Sequence, residues 1–546
     1  MIRPVSVDDL RSQLRERGYL SHGIERWFAL DPWSSRAFWL ELTTVASKAS
    51  LLIALFAVLP VGTVMLFRNH PLAATETMLL TMLYGAAAFV ASFALLLIIA
   101  LILRLRPSLV IDTPRALLGI SFAASAVPVA AIVYWWYRFD APPSLAELLA
   151  GLALTTGFFL FVSVAVSAAL LSFSIYELRR VPAIHQKSRA LPMTLAAMTL
   201  IAALFLPAYA SQEKHAEEVP IQVVTTPTTG HLALIAVDGL TFDILRARPD
   251  LMRALPFAYA VATLPGRSTT ERWASLGTGV DTSLHGVHAV EGIRLRGGRH
   301  LLQSVSRADL VLLNVAESLG VARREALPPT VRRRHFVWEI LAERGVPGVA
   351  VNWWTAEDTH GGGRDSIGQT SNFAAAAAGR GTPDAVALRV DQTAVLRFLQ
   401  ALDASHGRFA TVYLPALDVV LNRMSLDAST KLTASVRALD GVNATVAAVR
   451  ARGYDVLLAG LPGDNQGGRA VLAATFPMAS TTTPFDVAPT LLSRMGFPPS
   501  AEMQGHALAG NDLPRIASYG PRAVKSQSTR VNEEYYESLR SLGYIR

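Results

Sequence analysis

His231-Leu232-Ala233-Leu234-Ile235-Ala236-Val237-Asp238-Gly239 is the stretch that decides the fold. It is an unbroken apolar run of strand length ending in an acid and a glycine, the pattern of a strand buried on both faces and stopped by a turn. Similar runs follow at Val346 to Asn352, Phe409 to Leu414 and Val456 to Leu461. Helical periodicity separates them, at Phe336 to Arg344 and at Gln392 to Leu402, where Val395, Leu396, Leu399 and Leu402 are predicted to line one face. The alternation predicts an α/β domain, a mostly parallel sheet sandwiched by helices. In open parallel sheets functional groups collect beyond the carboxyl ends of strands. Asp238, Asp418 and the pair Asp464-Asn465 stand at such places.

Upstream the chain changes character. Apolar runs of roughly 20 residues can cross a bilayer as helices, because a helix satisfies its own backbone polar groups. Five such runs are predicted at Lys48 to Phe67, Met78 to Leu103, Leu117 to Trp136, Leu148 to Ile175 and Leu191 to Tyr209. Basic connections stay cytoplasmic. The second connection holds Arg104, Arg106 and Arg115, and the fourth holds Arg179, Arg180, Lys187 and Arg189, whereas the first and third offer little beyond Arg68 and Arg138. A cytoplasmic N-terminus and a C-terminal domain on the opposite face follow, which fits a bacterial inner membrane with a periplasmic domain. Residues 1–47 read as a cytoplasmic interfacial segment, carrying Arg11, Arg15, Trp27, Phe28, Trp33 and Trp39. Residues 48–210 form the five-helix transmembrane domain, 211–230 a linker rich in charge, Thr and Pro, and 231–546 the periplasmic domain. The chain has no cysteine, which excludes disulfides and thiolate metal sites, and a net charge of +8.

Further motifs sharpen the domain. Ala236-Val237-Asp238-Gly239 is followed by Thr263-Leu264-Pro265, by Trp273-Ala274-Ser275-Leu276-Gly277-Thr278-Gly279 and by His285-Gly286-Val287. Later come Val337-Trp338-Glu339-Ile340-Leu341, Val351-Asn352-Trp353, Asp486-Val487-Ala488-Pro489-Thr490-Leu491-Leu492, Met503-Gln504-Gly505 and the ending Leu539-Arg540-Ser541-Leu542-Gly543-Tyr544-Ile545. Together these resemble the alkaline phosphatase superfamily, nearest its type I phosphodiesterase and sulfatase-like branch. The resemblance implies that Thr269 is the nucleophile and that Asp238, Thr269 and Asp418 hold metal. In that superfamily two metal ions activate the hydroxyl and clamp the transferred phosphoryl group.

The departures from the pattern matter as much. Where the family has a histidine four residues after its second aspartate, this chain has Asn422, and the strand-end Ser-Asp-His-Gly motif is replaced by Leu461-Pro462-Gly463-Asp464-Asn465. After His406 the only histidine is His506, beyond the position of the family's last ligand. A two-zinc site is not expected. The remaining oxygen-rich set of Asp238, Thr269, Asp418, Asn422, Asp464 and Asn465 suits one hard cation, Mg²⁺, Mn²⁺ or Ca²⁺. His285 is expected to be structural, and Asp358 to Asp365 a mobile loop.

Arginines cluster at Arg294, Arg296 and Arg299, at Arg323 and Arg324, and at Arg332, Arg333 and Arg334. Guanidinium groups suit phosphate or sulfate, so Arg294, Arg296, Arg332, Arg333 and Arg334 are anion-binding candidates. The expected partners are membrane lipids and an anionic envelope lipid or glycan. Nucleic acid is not expected outside the cytoplasm. Five crossings followed by such a domain resemble two groups. One moves glycerophosphate or phosphoethanolamine onto envelope polymers; the other has lost its metals and binds lipopolysaccharide or cardiolipin. The sequence favours a pseudoenzyme with a depleted metal site that recognises a phosphorylated envelope lipid or glycan. A metal-dependent hydrolase or transferase using Thr269, and a scaffold in a polysaccharide export machine, stay open.

Overall fold

The structure is a computed structural model. It describes short stretches of the N-terminal half, chiefly within 42–54 and 74–105, and most of 230–545 apart from 264–267, 304–313, 360–363, 378–380, 464–465, 523–532 and a few shorter gaps. Contacts divide the chain into two units: Met1–Glu213 with Leu295–His300 and Ser306–Ala322, and Lys214–Arg294 with Leu301–Val305 and Arg323–Arg546.

In the first unit helix α1, Ala74–Leu105, contains the apolar stretch Met78–Ile99. Among the described residues it is the one helix long and apolar enough to cross a membrane. It covers the second predicted crossing. Part of the first lies in a shorter apolar helix, Leu42–Ala54, and the other three predicted crossings, apart from Gly119 and Ser163, fall outside the described residues.

The second unit is built on a seven-stranded sheet. Its strands are β1 (His231–Asp238), β2 (Phe257–Val261), β5 (Gly348–Val351), β6 (Arg364–Ile367), β7 (Phe409–Leu414), β8 (Tyr454–Leu461) and β9 (Ala470–Ala474). Their order across the sheet is β2-β9-β8-β1-β7-β5-β6. The pairs β8-β1, β1-β7, β7-β5 and β5-β6 are parallel, and β9 runs antiparallel to both β8 and β2. A separate two-stranded sheet joins β3 (Glu291–Leu295) and β4 (Ala322–Ala326). Central β1 is buried from Leu232 to Asp238, which explains why it reads as a solid apolar run rather than an alternating one.

All four predicted strands are present, lengthened or trimmed at their ends. Two expectations change. The long helix α2, Pro383–Ser405, buries Ala387, Leu388, Val390, Ala394, Phe398 and Leu402, while Leu396 is 58% exposed. Ala394, Phe398 and Leu402 recur every fourth residue and set the inner face, which leaves Leu396 about half a turn away. The expected loop at Asp358 to Asp365 instead enters β6 at Arg364, on the sheet edge three strands from β1; 360–363 lie outside the described residues.

Candidate functional site

Strand β1 ends at Asp238 and is followed by Gly239, whose φ of +81° turns the chain away from the sheet. A side chain there would place its first carbon 2.6 Å from the backbone nitrogen of Asp418, so the ends of β1 and β7 meet backbone to backbone. After β7 the chain coils through a short helix, Ala416–Asp418, and a single wide turn, Val419–Arg423. Wide turns of this kind occur often at functional sites. This one sends Asp418, Asn422 and Arg423 to the same rim.

Thr269 opens helix α3, Thr269–Thr278. Ser268 caps it, and Glu271 completes the box by accepting from the Ser268 backbone N–H. Four residues on, fully buried Trp273 meets Trp353 and Tyr413 edge-to-face, with ring centroids 5.9 and 5.3 Å apart. Gly277 lets Phe336 and Trp338 approach the helix backbone. Burial of this aromatic floor pins the helix, and with it the first-turn hydroxyl.

The side chains then form one connected network. The Thr269 hydroxyl accepts from Arg423 Nη2 at 2.7 Å and from Arg272 Nη2 at 3.3 Å. Arg272 Nη1 also donates to the Pro462 carbonyl at 2.6 Å. Arg423 Nε donates to Asp418 Oδ2 in a short ion pair. The other oxygen, Asp418 Oδ1, accepts from Asn422 Nδ2 at 2.8 Å. Gln466 fixes which way that amide points: its Nε2 donates to Gly239 O, and its Oε1 accepts from Gly463 N and from Asn422 Nδ2. A side chain at Gly463 would collide with Asp418 Oδ1 and Asn422 Nδ2.

Asp238 lies fully buried, with Oδ2 accepting from the Tyr413 hydroxyl at 2.8 Å and Oδ1 without a hydrogen-bond partner. Burial, and then the neighbouring Asp418 carboxylate, push its pKa up to about 8, against the opposing pull of Arg423, Arg272 and Tyr413. Burial also raises Asp391, which accepts from Ala416 N and adds its own repulsion with Asp238. Tyr544 closes the other side. Its ring lies under the Arg423 guanidinium at 4.1 Å and meets Trp354 edge-to-face at 5.2 Å.

Of the residues singled out in the sequence, Asp238, Thr269, Asp418 and Asn422 are brought together; Asp464 and Asn465 lie outside the described residues. The two-metal complement implied by the sequence resemblance does not fit. Arg423 sets a fixed positive charge between Asp418 and Thr269, where a cation would have to sit, and Asn422 presents nitrogen to Asp418. A single Mg²⁺, Mn²⁺ or Ca²⁺ meets the same guanidinium. Among the described residues, no group of three or more His, Cys, Asp or Glu could hold a metal ion. His285 is structural: its Nδ1 accepts from Val287 N, which leaves Nε2–H to donate to the Ser275 hydroxyl. His506 is exposed, and only its backbone N–H is held, by Asp486.

The arginines read as anion-binding are placed elsewhere. Arg294 pairs with Glu325, Arg332 with Glu339 and Arg334 with Glu502, while Arg333 lies against Gly286 and Arg296 is exposed beyond β3. Arg332 is fully buried, so it offers nothing to a ligand in solution. The converging guanidiniums are Arg272 and Arg423, which the sequence reading passed over. Both were within reach of it: Arg272 is one helical turn after Thr269, and Arg423 directly follows Asn422.

No protein-family model matches the chain, and no curated protein does. Solved structures are similar to it, two of them as follows. One is phosphonoacetate hydrolase from Sinorhizobium meliloti 1021 in complex with phosphonoformate, 11% identical with a TM-score of 0.30, covering 44% of this chain and 60% of that one. The other is murine ectonucleotide pyrophosphatase/phosphodiesterase 5, an inactive variant in complex with AMP, 11% identical with a TM-score of 0.28, covering 42% and 56%. The chain spans less than two thirds of either structure.

Proposed function

We propose that this is a membrane-anchored protein whose strand-end site recognises a phosphorylated envelope lipid or glycan and does not turn it over. The observation that carries the reading is the state of the Thr269 hydroxyl. An sp³ oxygen has two lone pairs, and here guanidinium donors from Arg272 and Arg423 take both. A hydroxyl held in this way has no lone pair to direct at phosphorus or sulfur. The same two guanidiniums suit an oxyanion. With Asp238 protonated below about pH 8, the four described groups Asp238, Arg272, Asp418 and Arg423 together carry about one positive charge near neutrality. In this reading Arg272 and Arg423 hold the anion, the helices of residues 48–210 keep the domain at the inner membrane, and residues 231–546 face the periplasm.

Titration of the full-length protein in detergent with inorganic phosphate, and then with vesicles carrying a phosphomonoester lipid, tests the proposal. Arg272→Gln is expected to weaken binding by roughly tenfold, the loss of one charge-assisted contact. Thr269→Ala is expected to bind nearly as well as wild type. Turnover of a phosphodiester or sulfate ester that Thr269→Ala abolishes would sink the binding reading in favour of hydrolysis or transfer, which the convergence of Thr269 with two carboxylates supports. Equal binding by wild type, Arg272→Gln and Thr269→Ala would leave the export scaffold.

A further inference from the structure

Arg423 makes a set of contacts that differs from an ordinary surface ion pair. Its guanidinium joins two oxygens from separate elements, the Asp418 carboxylate after β7 and the Thr269 hydroxyl at the start of α3. Its side chain is 8% exposed, and an aromatic face, Tyr544, lies against it at 4.1 Å. Gly543 brings that ring in, since a side chain there would crowd the Arg423 backbone at 3.0 Å. The oxygens around it make up a hard-cation donor set: two carboxylates, a hydroxyl, and an amide whose oxygen becomes available if it turns over. One of them, Asp238 Oδ1, is buried and accepts no hydrogen bond. A carboxylate held away from water, here Asp418, requires a compensating positive charge. The geometry supplies it from the protein.

We propose that Arg423 is a built-in replacement for a divalent cation, held over Tyr544 so that the site keeps its shape without metal, and that removing the guanidinium uncovers a latent hard-cation site formed by Asp238, Thr269, Asp418 and Asn422. The proposal stands on these contacts and is independent of what the site recognises. It also gives Tyr544 a role: the aromatic face fixes the plane of the guanidinium, which a lysine ammonium in the same place would not share.

The test is Mn²⁺ binding, read from the electron paramagnetic resonance of the free ion, with full-length protein in detergent. Wild type is expected to bind no Mn²⁺ that Asp418→Asn can remove. Arg423→Ala is expected to bind one ion at least roughly tenfold more tightly than wild type, and Arg423→Ala with Asp418→Asn to lose that gain. If Arg423→Ala accumulates only with Mn²⁺ present and unfolds on chelation, while wild type is indifferent to the chelator, the result is the same. Equal affinity in wild type and Arg423→Ala, or a gain that survives Asp418→Asn, overturns the proposal. So does failure of both Arg423→Ala and the less disruptive Arg423→Gln to fold with the ion supplied, because the cation should restore the missing charge.

Discussion

Two stacked arginines in the same domain do different work. Arg332 gives both Nη groups to one acid, Glu339, at 2.6 Å each, and lies 3.7 Å over the Phe336 ring. Burial alone would raise the Glu339 carboxyl, yet Arg332, joined by Arg522, holds it down at about 2. Arg423 divides its donors between an acid and a hydroxyl, over Tyr544. In the first arrangement carboxylate and guanidinium are matched edge to edge, and backbone groups of Phe336 and Arg334 complete the set. The second ties an ion pair to the Thr269 hydroxyl. A fully matched pair holds structure, whereas a divided one couples the charge balance of a site to its chemistry.

The largest way to break that contrast is Arg332→Ala. It strands a buried carboxylate, and a loss of about 3–5 kcal/mol is expected, read as thermal unfolding of the detergent-solubilised protein and unchanged by added Mn²⁺. Arg423→Ala should cost less, about 2 kcal/mol without metal, and should recover much of it when Mn²⁺ is supplied. Recovery in both variants, or in neither, would erase the distinction.

Asp238→Asn sharpens the comparison by pH. A carboxyl whose pKa rises from 3.8 unfolded to about 8 folded binds its proton more tightly in the native state. Its contribution to stability therefore falls as pH rises from about 4 to about 8 and is constant beyond. Wild type should lose stability across that window, and Asp238→Asn should lose less, with an advantage of at least about 1 kcal/mol at pH 8.5. Parallel melting curves for the two proteins across this range would contradict the assignment. Tyr544→Leu removes the aromatic face under Arg423 and should cost about 1 kcal/mol, together with a measurable gain in Mn²⁺ affinity that Tyr544→Phe does not show. The smallest effect is expected at Arg296, exposed beyond β3, where alanine should change stability by less than about 0.5 kcal/mol in the same melting assay.

The sheet was legible because its central strands are buried on both faces, so the runs ending at Val237 and Leu461 are wholly apolar and the one ending at Leu414 is broken only by Thr411 and the Tyr413 hydroxyl, both hydrogen-bonded inside. Strands β2 and β9 were not, because Phe257–Val261 and Ala470–Ala474 are short and lack a turn signature that sets them apart from helix or loop. At the site, the acids were found from their place after strands. The guanidiniums were missed for a different reason. Arg272 and Arg423 are two of 50 basic residues, and sequence shows neither which are buried nor which point inward. The clustered arginines attracted notice by density, yet four of them, Arg294, Arg324, Arg332 and Arg334, are held by the acids Glu325, Glu291, Glu339 and Glu502. Tyr544 lies 126 residues beyond Asp418, and only folding brings its ring to Arg423.

Gly239 and Gly463 leave room on either side of Asp418 for nothing larger than a hydrogen atom. The mould that seats this acid is therefore cast largely in main chain, from the end of β1 and from the turn after β8, with the side chains of residues 422 and 423 lining its oxygens. A lineage could trade an ion-binding imidazole for an amide, or an ion for a guanidinium, by changing side-chain tips while the cast stays put. The same logic makes the two glycines the least replaceable positions around the acid, less forgiving than the threonine whose oxygen the pocket surrounds.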